Sequence, residues 1–141
     1  MLVRLMYVSR AVAAAEQDPL MAILRKSKAY NPAAGITGVL CLSQGIYLQV
    51  LEGGRGAVNA LYLRIATDVR HTDIELLSFE EIAERRFGGW SMGQGCMSRL
   101  NPALLLKYSE RAVLDPYAVS GAVSMALLTE MGATASIIGP P

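Results

Sequence analysis

Tyr7, Gln49, Asn31, Arg64, Asp68 and His71 are the residues of this chain whose types and settings invite chemistry. Gln49 stands in Tyr47-Leu48-Gln49-Val50-Leu51-Glu52-Gly53, a run that otherwise reads as a buried strand, and a buried amide must find partners. Tyr7 lies in a second apolar run and carries the same obligation at its hydroxyl. A phenol can give an electron and a proton, and an amide has two inequivalent ends that can be exchanged. Arg64, Asp68 and His71 recur at i, i+4 and i+7, which puts them on roughly one side of a helical pattern. Each also has a purely structural reading: a core tyrosine bonded to backbone, a helical ion pair, a histidine at a helix end. Hydrolytic and nucleophilic chemistry finds no support, because no serine sits in an elbow motif, no acid pair stands at useful spacing, and there is one histidine. Gly53-Gly54-Arg55-Gly56 lacks the lysine and spacing of a phosphate loop.

The elements that must position these groups follow from the order of the chain. Leu2 to Ser9 reads as a strand with Val3, Leu5 and Tyr7 on one face. Asp18-Pro19 supplies a cap and a first-turn proline for a helix carrying Leu20, Ile23, Leu24 and Ser27, with Arg25, Lys26 and Lys28 toward its C-terminal end. Asn31-Pro32 is expected to stop that helix and leave the Asn31 amide free to act. Gly35 to Leu42 and Ile46 to Glu52 flank Ser43-Gln44-Gly45 as an antiparallel hairpin. Tyr47, Gln49 and Leu51 share one face of the second hairpin strand, and Ile46, Leu48 and Val50 the other, so both faces call for cover. Val58, Leu61, Tyr62, Ile65 and Val69 form the stripe of a second helix.

Ile74 to Ala83 reads as a fourth strand. Trp90 to Met97 reads as a glycine-weakened fifth, in which Trp90 and Met92 face the same way by alternation unless a bulge, which its glycines permit, breaks that parity. Asn101-Pro102 and Asp115-Pro116 are expected to open two further helices that bury Leu2, Met6, Leu48 and Val50, a cover that an interface with another chain would supply equally well, with Gly139-Pro140-Pro141 as a mobile tail. The order β-α-β-β-α-β predicts an α+β fold, a ferredoxin-like βαββαβ sandwich extended by a fifth strand and two C-terminal helices on the opposite face of the sheet. The expected organisation is residues 1–97 as one domain and 98–141 as cap helices and a short tail. In that topology strands one and three are neighbours, so Tyr7 and Gln49 share a face beneath two helices. A planar heterocycle with imide edges would satisfy the whole set: Asn31 and Asp68 at its NH and carbonyl edge, Arg64 and His71 at carbonyls or at ribityl and phosphate oxygens, and isoleucines such as Ile23 and Ile65 sandwiching the ring.

Composition narrows the setting. The chain has 141 residues, 52% of them hydrophobic, and a formal charge of +1 without a basic block, which suggests one globular domain with no electrostatic grip on nucleic acid or an anionic membrane. Cys41 and Cys96 stand far apart without a CxxC and read as packed thiols, not as a metal site. No stretch reads as a signal peptide or a membrane span, so the expected location is the cytoplasm.

Over about Leu2 to Met97 the sequence resembles the BLUF family of blue-light sensors that use FAD. The resemblance rests on the strand ending in Tyr7, on Ser27 to Leu40 with Asn31 and Gly35-Ile36-Thr37-Gly38, on Gln49-Val50-Leu51-Glu52-Gly53, on Arg64, Asp68 and Arg70-His71, and on Trp90-Ser91-Met92. Tyr30 stands where the family often has a second asparagine, and Leu48 where it frequently has an aromatic. The resemblance implies a photoreceptor, not an enzyme, with FAD, or FMN or riboflavin in its place, held noncovalently by Tyr7, Ile23, Ser27, Asn31, Gln49, Arg64, Ile65, Asp68 and His71. It also implies that light draws an electron and a proton from Tyr7, that Gln49 changes its hydrogen bonding to give a red-shifted state, and that Trp90 and Met92 relay the change to the C-terminal region. The roughly forty residues beyond Met97 are enough for cap helices alone, so the expected outlet is a separate downstream protein or a homo-oligomer surface. The alternatives are a flavin-dependent reductase and a light-independent ferredoxin-like binding module.

Overall fold

The computed structural model describes residues 1–12 and 18–141. Six strands form one sheet: β1 (Leu2–Ala11), β2 (Thr37–Ser43), β3 (Ile46–Gly54), β4 (His71–Ile82), β5 (Gly93–Gly95) and β6 (Ile137–Ile138), in the order β4-β1-β3-β2-β5-β6. The first four give the 4-1-3-2 antiparallel order of the ferredoxin-like sandwich. Helices α1 (Pro19–Ala34) and α2 (Arg55–Ala66) cover one face, and α3 (Pro102–Tyr108) and α4 (Gly121–Ala133) cover the other. Strand alternation divides the core as expected: Val3, Leu5, Tyr7, Leu40, Tyr47 and Leu51 pack under α1 and α2, while Met6, Val39, Cys41, Leu48 and Val50 pack under the C-terminal helices with Leu105, Leu127, Leu128 and Met131. Leu2 is only half-buried and takes no part in that second layer. Both thiols are free and buried, and burial pushes the Cys41 pKa up to about 12.

The β2–β3 hairpin closes through Gln44 and Gly45, both at positive φ (50° and 77°), the two-residue geometry that matches strand twist. Other boundaries differ from the sequence reading for local reasons. The helix capped by Asp18 runs through Asn31-Pro32 to Ala34. Proline there forfeits one bond of the last turn, and Gly35, at φ 69°, ends the helix instead: its N–H and that of Ile36 donate to the Pro32 and Asn31 carbonyls. Arg25, Lys26 and Lys28 therefore lie inside the helix, not in its last turn. Asp115-Pro116 makes a turn, with the Asp115 carboxylate accepting from the Tyr117 N–H, and α4 starts five residues after Pro116 under the Ser120 cap.

The fifth strand shrinks to three residues, running parallel to β2 and antiparallel to β6. Its glycines serve close approach: a Cβ at Gly95 would collide with the Cys41 thiol and the Met131 methyl, and one at Gly93 would meet Ile137 and the Trp90 ring. The tail is tied to the sheet by β6 and by the Ser91 N–H donating to the Pro140 carbonyl (3.1 Å), so the expected mobile end is a paired one.

One buried polar cluster has no counterpart in the sequence reading. Arg4 and Glu52, opposite each other in β1 and β3, form an ion pair of 2.8 Å on the C-terminal-helix face, with the Glu52 side chain fully buried. The same carboxylate accepts from the backbone N–H groups of Arg86 (2.9 Å) and Phe87 (2.5 Å). It thereby fixes the turn between β4 and the Trp90–Met92 segment. Among the described residues no helix is long and apolar enough to cross a membrane, and no group of acids, cysteines and histidine is placed to hold a metal ion.

Candidate functional site

A cavity of about 450 Å³ opens above β1 and β3 between α1 and α2. Its lining includes Tyr7, Ile23, Ser27, Asn31, Gln49, Arg64, Ile65, Asp68 and His71, so all nine residues singled out for a cofactor meet in one place. Lys26, Ala29, Tyr30, Leu61 and Arg70 complete the wall. Lys26 and Tyr30 were legible as the continuation of the Ile23 and Ser27 stripe at helical spacing, within the helix already expected before Asn31. Leu61 reads equally as core from its spacing.

The floor is built by strand register. Tyr7 and Gln49 are direct partners across β1 and β3, both almost fully buried, and the Tyr7 hydroxyl donates a hydrogen bond to Gln49 Oε1. The other end of the amide, Nε2, donates to Met92 Sδ at 3.4 Å. Burial, reinforced by Tyr47, Tyr62 and Asp68, raises the Tyr7 pKa far above that of an ordinary phenol, so the group is neutral and keeps its proton as a donor. Asn31, also buried, donates from Nδ2 to the Ser91 carbonyl at 2.8 Å, and the Gly38 N–H donates to the Trp90 carbonyl at 3.1 Å. A Cβ at Gly38 would run into the Val50 carbonyl, so this backbone contact needs glycine.

Trp90 and Met92 do not share a face. Neither lies in β5; both belong to the bend before it, where strand alternation does not hold. Met92 packs with Tyr7 and Leu40 on the cavity side, whereas Trp90 packs against the opposite layer with Cys41, Leu128 and Ile137. The segment thus gives one side chain to each layer, Met92 to Gln49 and Trp90 to the layer of the C-terminal helices.

His71 is the first residue of β4, since α2 ends at Ala66 and Asp68 lies in the connection, where its carboxylate accepts from the Arg70 N–H. Two register shifts in β4 flank the position opposite Tyr7, and Asp73 takes a positive φ of 51° at the second. Such bulges re-aim side chains, and here His71 reaches the cavity wall with Nδ1 2.8 Å from the hydroxyl oxygen of buried Ser9. Burial lowers the His71 pKa from 6.5, Asp68 opposing and Arg70 assisting. The unfolded chain therefore binds this proton more readily; the stability from neutral His71 is intact above about pH 6.5 and is lost as pH falls below it. Urea unfolding should show lower stability at about pH 5.5 than at about pH 7.5, and His71→Gln should flatten that slope.

At the cavity mouth the Arg64 guanidinium lies over the Tyr30 ring, 4.2 Å from its centroid. With Lys26 and Arg70 nearby on the wall, the mouth is cationic and the interior is a buried phenol–amide floor between Ile23, Leu61 and Ile65.

Comparison with known proteins bears on this arrangement. Photoactivated adenylate cyclase subunit alpha of Euglena gracilis is 39% identical over 87 residues, which are 62% of this chain and 8% of that one. The beta subunit from the same organism is 39% identical over 84 residues, 60% and 10% of the two chains. The chain thus spans a tenth or less of the length of these curated relatives. Among solved structures, BlsA in its photo-activated state superimposes with a TM-score of 0.82 at 29% identity, covering 93% of this chain and 94% of that one. The dark-state structure of BlrB, a BLUF protein, gives 0.77 at 32% identity, with 95% and 96% covered. The family described as sensors of blue-light using FAD matches residues 2–93. Because that match runs through every element that builds the cavity, from β1 to the first residue of β5, the chain belongs to the BLUF family of blue-light photoreceptors, whose cofactor is FAD.

Proposed function

We propose that residues 1–97 form the photosensor, with flavin seated in the cavity between α1 and α2, and that residues 98–141 form the cap that receives the signal. The observation that carries this reading is the pairing of Tyr7 with Gln49 on the cavity floor, the amide reaching Met92 with its other end. The donor set fits the group: Asn31 and Asp68 supply an amide and a carboxylate for an imide edge, Ile23 and Ile65 supply flat apolar walls, and Arg64, Lys26 and Arg70 suit an anionic tail. FAD, or FMN in its place, matches that cationic mouth better than neutral riboflavin.

Bound flavin would supply blue absorption and an excited state able to take up an electron and a proton. Tyr7 would be the donor of both, its hydroxyl proton being directed at Gln49 Oε1. Loss of that proton would leave Oε1 without its donor and free the amide to rotate or tautomerise. Once Tyr7 held its electron and proton again, Gln49 would keep a new hydrogen-bonded arrangement, the basis of a red-shifted state. Met92 and Trp90 carry the change, one on each side of the sheet, toward α3, α4 and β6. The protein acts as a sensor without a reaction of its own and passes the signal to a separate partner protein or through a homo-oligomer surface, in the cytoplasm.

Tyr7→Phe tests the donor role. The variant should bind FAD within a few-fold of wild type, because one hydrogen bond is lost from the floor, yet blue light should leave its absorption spectrum unchanged. A Tyr7→Phe protein with a full photoresponse would reassign the donor.

A further inference from the structure

Tyr30 is not used by the switching chemistry, yet it occupies a defined place. It stands in the penultimate turn of α1, more than a third exposed, and its ring receives the guanidinium of Arg64 from the last helical turn of α2 at 4.2 Å from the centroid. Both residues line the cavity. The stack therefore bridges the two helices over the mouth. Arginine side chains are long and lose much rotamer freedom when fixed; a ring face that holds the guanidinium beforehand removes part of that cost from ligand binding.

We propose that Tyr30 is a positioning residue which, through its π face, holds Arg64 across the cavity mouth and so sets the affinity for flavin. The proposal rests on the seating of flavin argued above, with Arg64 as one of its ligands. It predicts that the ring matters and the hydroxyl does not. Among the described residues the Lys26 ammonium on the same wall has no comparable aromatic contact, so its contribution is independent of Tyr30.

The test is FAD affinity of the reconstituted chain, measured by fluorescence titration in a double-mutant cycle. Tyr30→Leu, which keeps apolar bulk and helix propensity, should weaken FAD binding roughly two- to fivefold, the range expected for losing a cation–π contact between exposed side chains. Tyr30→Phe should match wild type. In an Arg64→Leu background the Tyr30→Leu change should have no further effect, because the residue acts through Arg64. Tyr30→Ala gives a second non-aromatic variant should Tyr30→Leu fold poorly, and the thermal midpoint of the flavin-free protein monitors folding in each. Equal affinity of Tyr30→Leu and wild type, or the same loss with and without Arg64, would overturn the proposal while leaving the photosensor reading intact. A wild-type chain that binds no flavin would overturn both.

Discussion

Gln49→Leu should yield a protein that still binds flavin but whose absorption does not move under blue light. Leucine is close to glutamine in size and suits a buried strand position, so the sheet register that pairs Tyr7 with residue 49 is preserved. What disappears is the acceptor for the Tyr7 hydroxyl and the donor to Met92 Sδ. No other described side chain bonds to both, so the switch is removed outright rather than weakened. Absorption spectra of Gln49→Leu before and during illumination measure this directly; a reversible shift comparable to that of wild type would remove Gln49 from the mechanism.

Glu52→Ala should produce the largest loss of stability of any single change considered. The substitution leaves the Arg4 guanidinium buried, with the half-exposed Glu80 as its remaining carboxylate at 2.9 Å, and leaves the N–H groups of Arg86 and Phe87 without their acceptor. Breaking a buried pair by removing one partner costs about 3–5 kcal/mol, a large part of the roughly 5–15 kcal/mol that separates folded from unfolded domains. Glu80→Ala, by contrast, should cost about 0–1 kcal/mol, since that carboxylate is largely in water. Urea unfolding of the two variants beside wild type gives both numbers. Because Glu52 holds the turn that leads into Trp90–Met92, the surviving folded fraction of Glu52→Ala should also show an altered photoresponse.

The contrast between these two positions shows what the sequence discloses. Gln49 was legible because strand alternation has period two: a polar residue between Tyr47 and Leu51 on a covered face must have an internal partner, and topology brings Tyr7 to it. Glu52 obeys the same rule with Arg4, two opposite charges at matching positions of neighbouring apolar strands, but it sits at a strand end, where exposure is the ordinary expectation. The helix through Pro32 was hidden because the restriction on the residue before proline is a local preference, and the Gly35 cap together with burial of Asn31 outweighs it.

His71 lay in phase with α2 and so read as helical, whereas tertiary pairing with Ala11 draws it into β4. The split of Trp90 and Met92 between two layers follows from a bend in a stretch whose glycines permit a break in alternation but do not fix where it falls. The two residues of β6 are too few to carry a pattern at all; their pairing is decided by β5, whose own glycines are explained by the atoms packed upon them. The floor of the site was thus written in alternation and topology, while the path by which a change at Gln49 reaches the C-terminal layer depends on irregular backbone that only the folded chain displays.

The Tyr7–Gln49 switch is read out in the absorption spectrum of the wild-type chain reconstituted with FAD, recorded in the dark, under blue light and again after return to darkness. The flavin band should move to longer wavelength while retaining the shape of oxidised flavin, and should return in the dark. A bound flavin whose spectrum does not shift, or that bleaches to a stable reduced form, would contradict that switch.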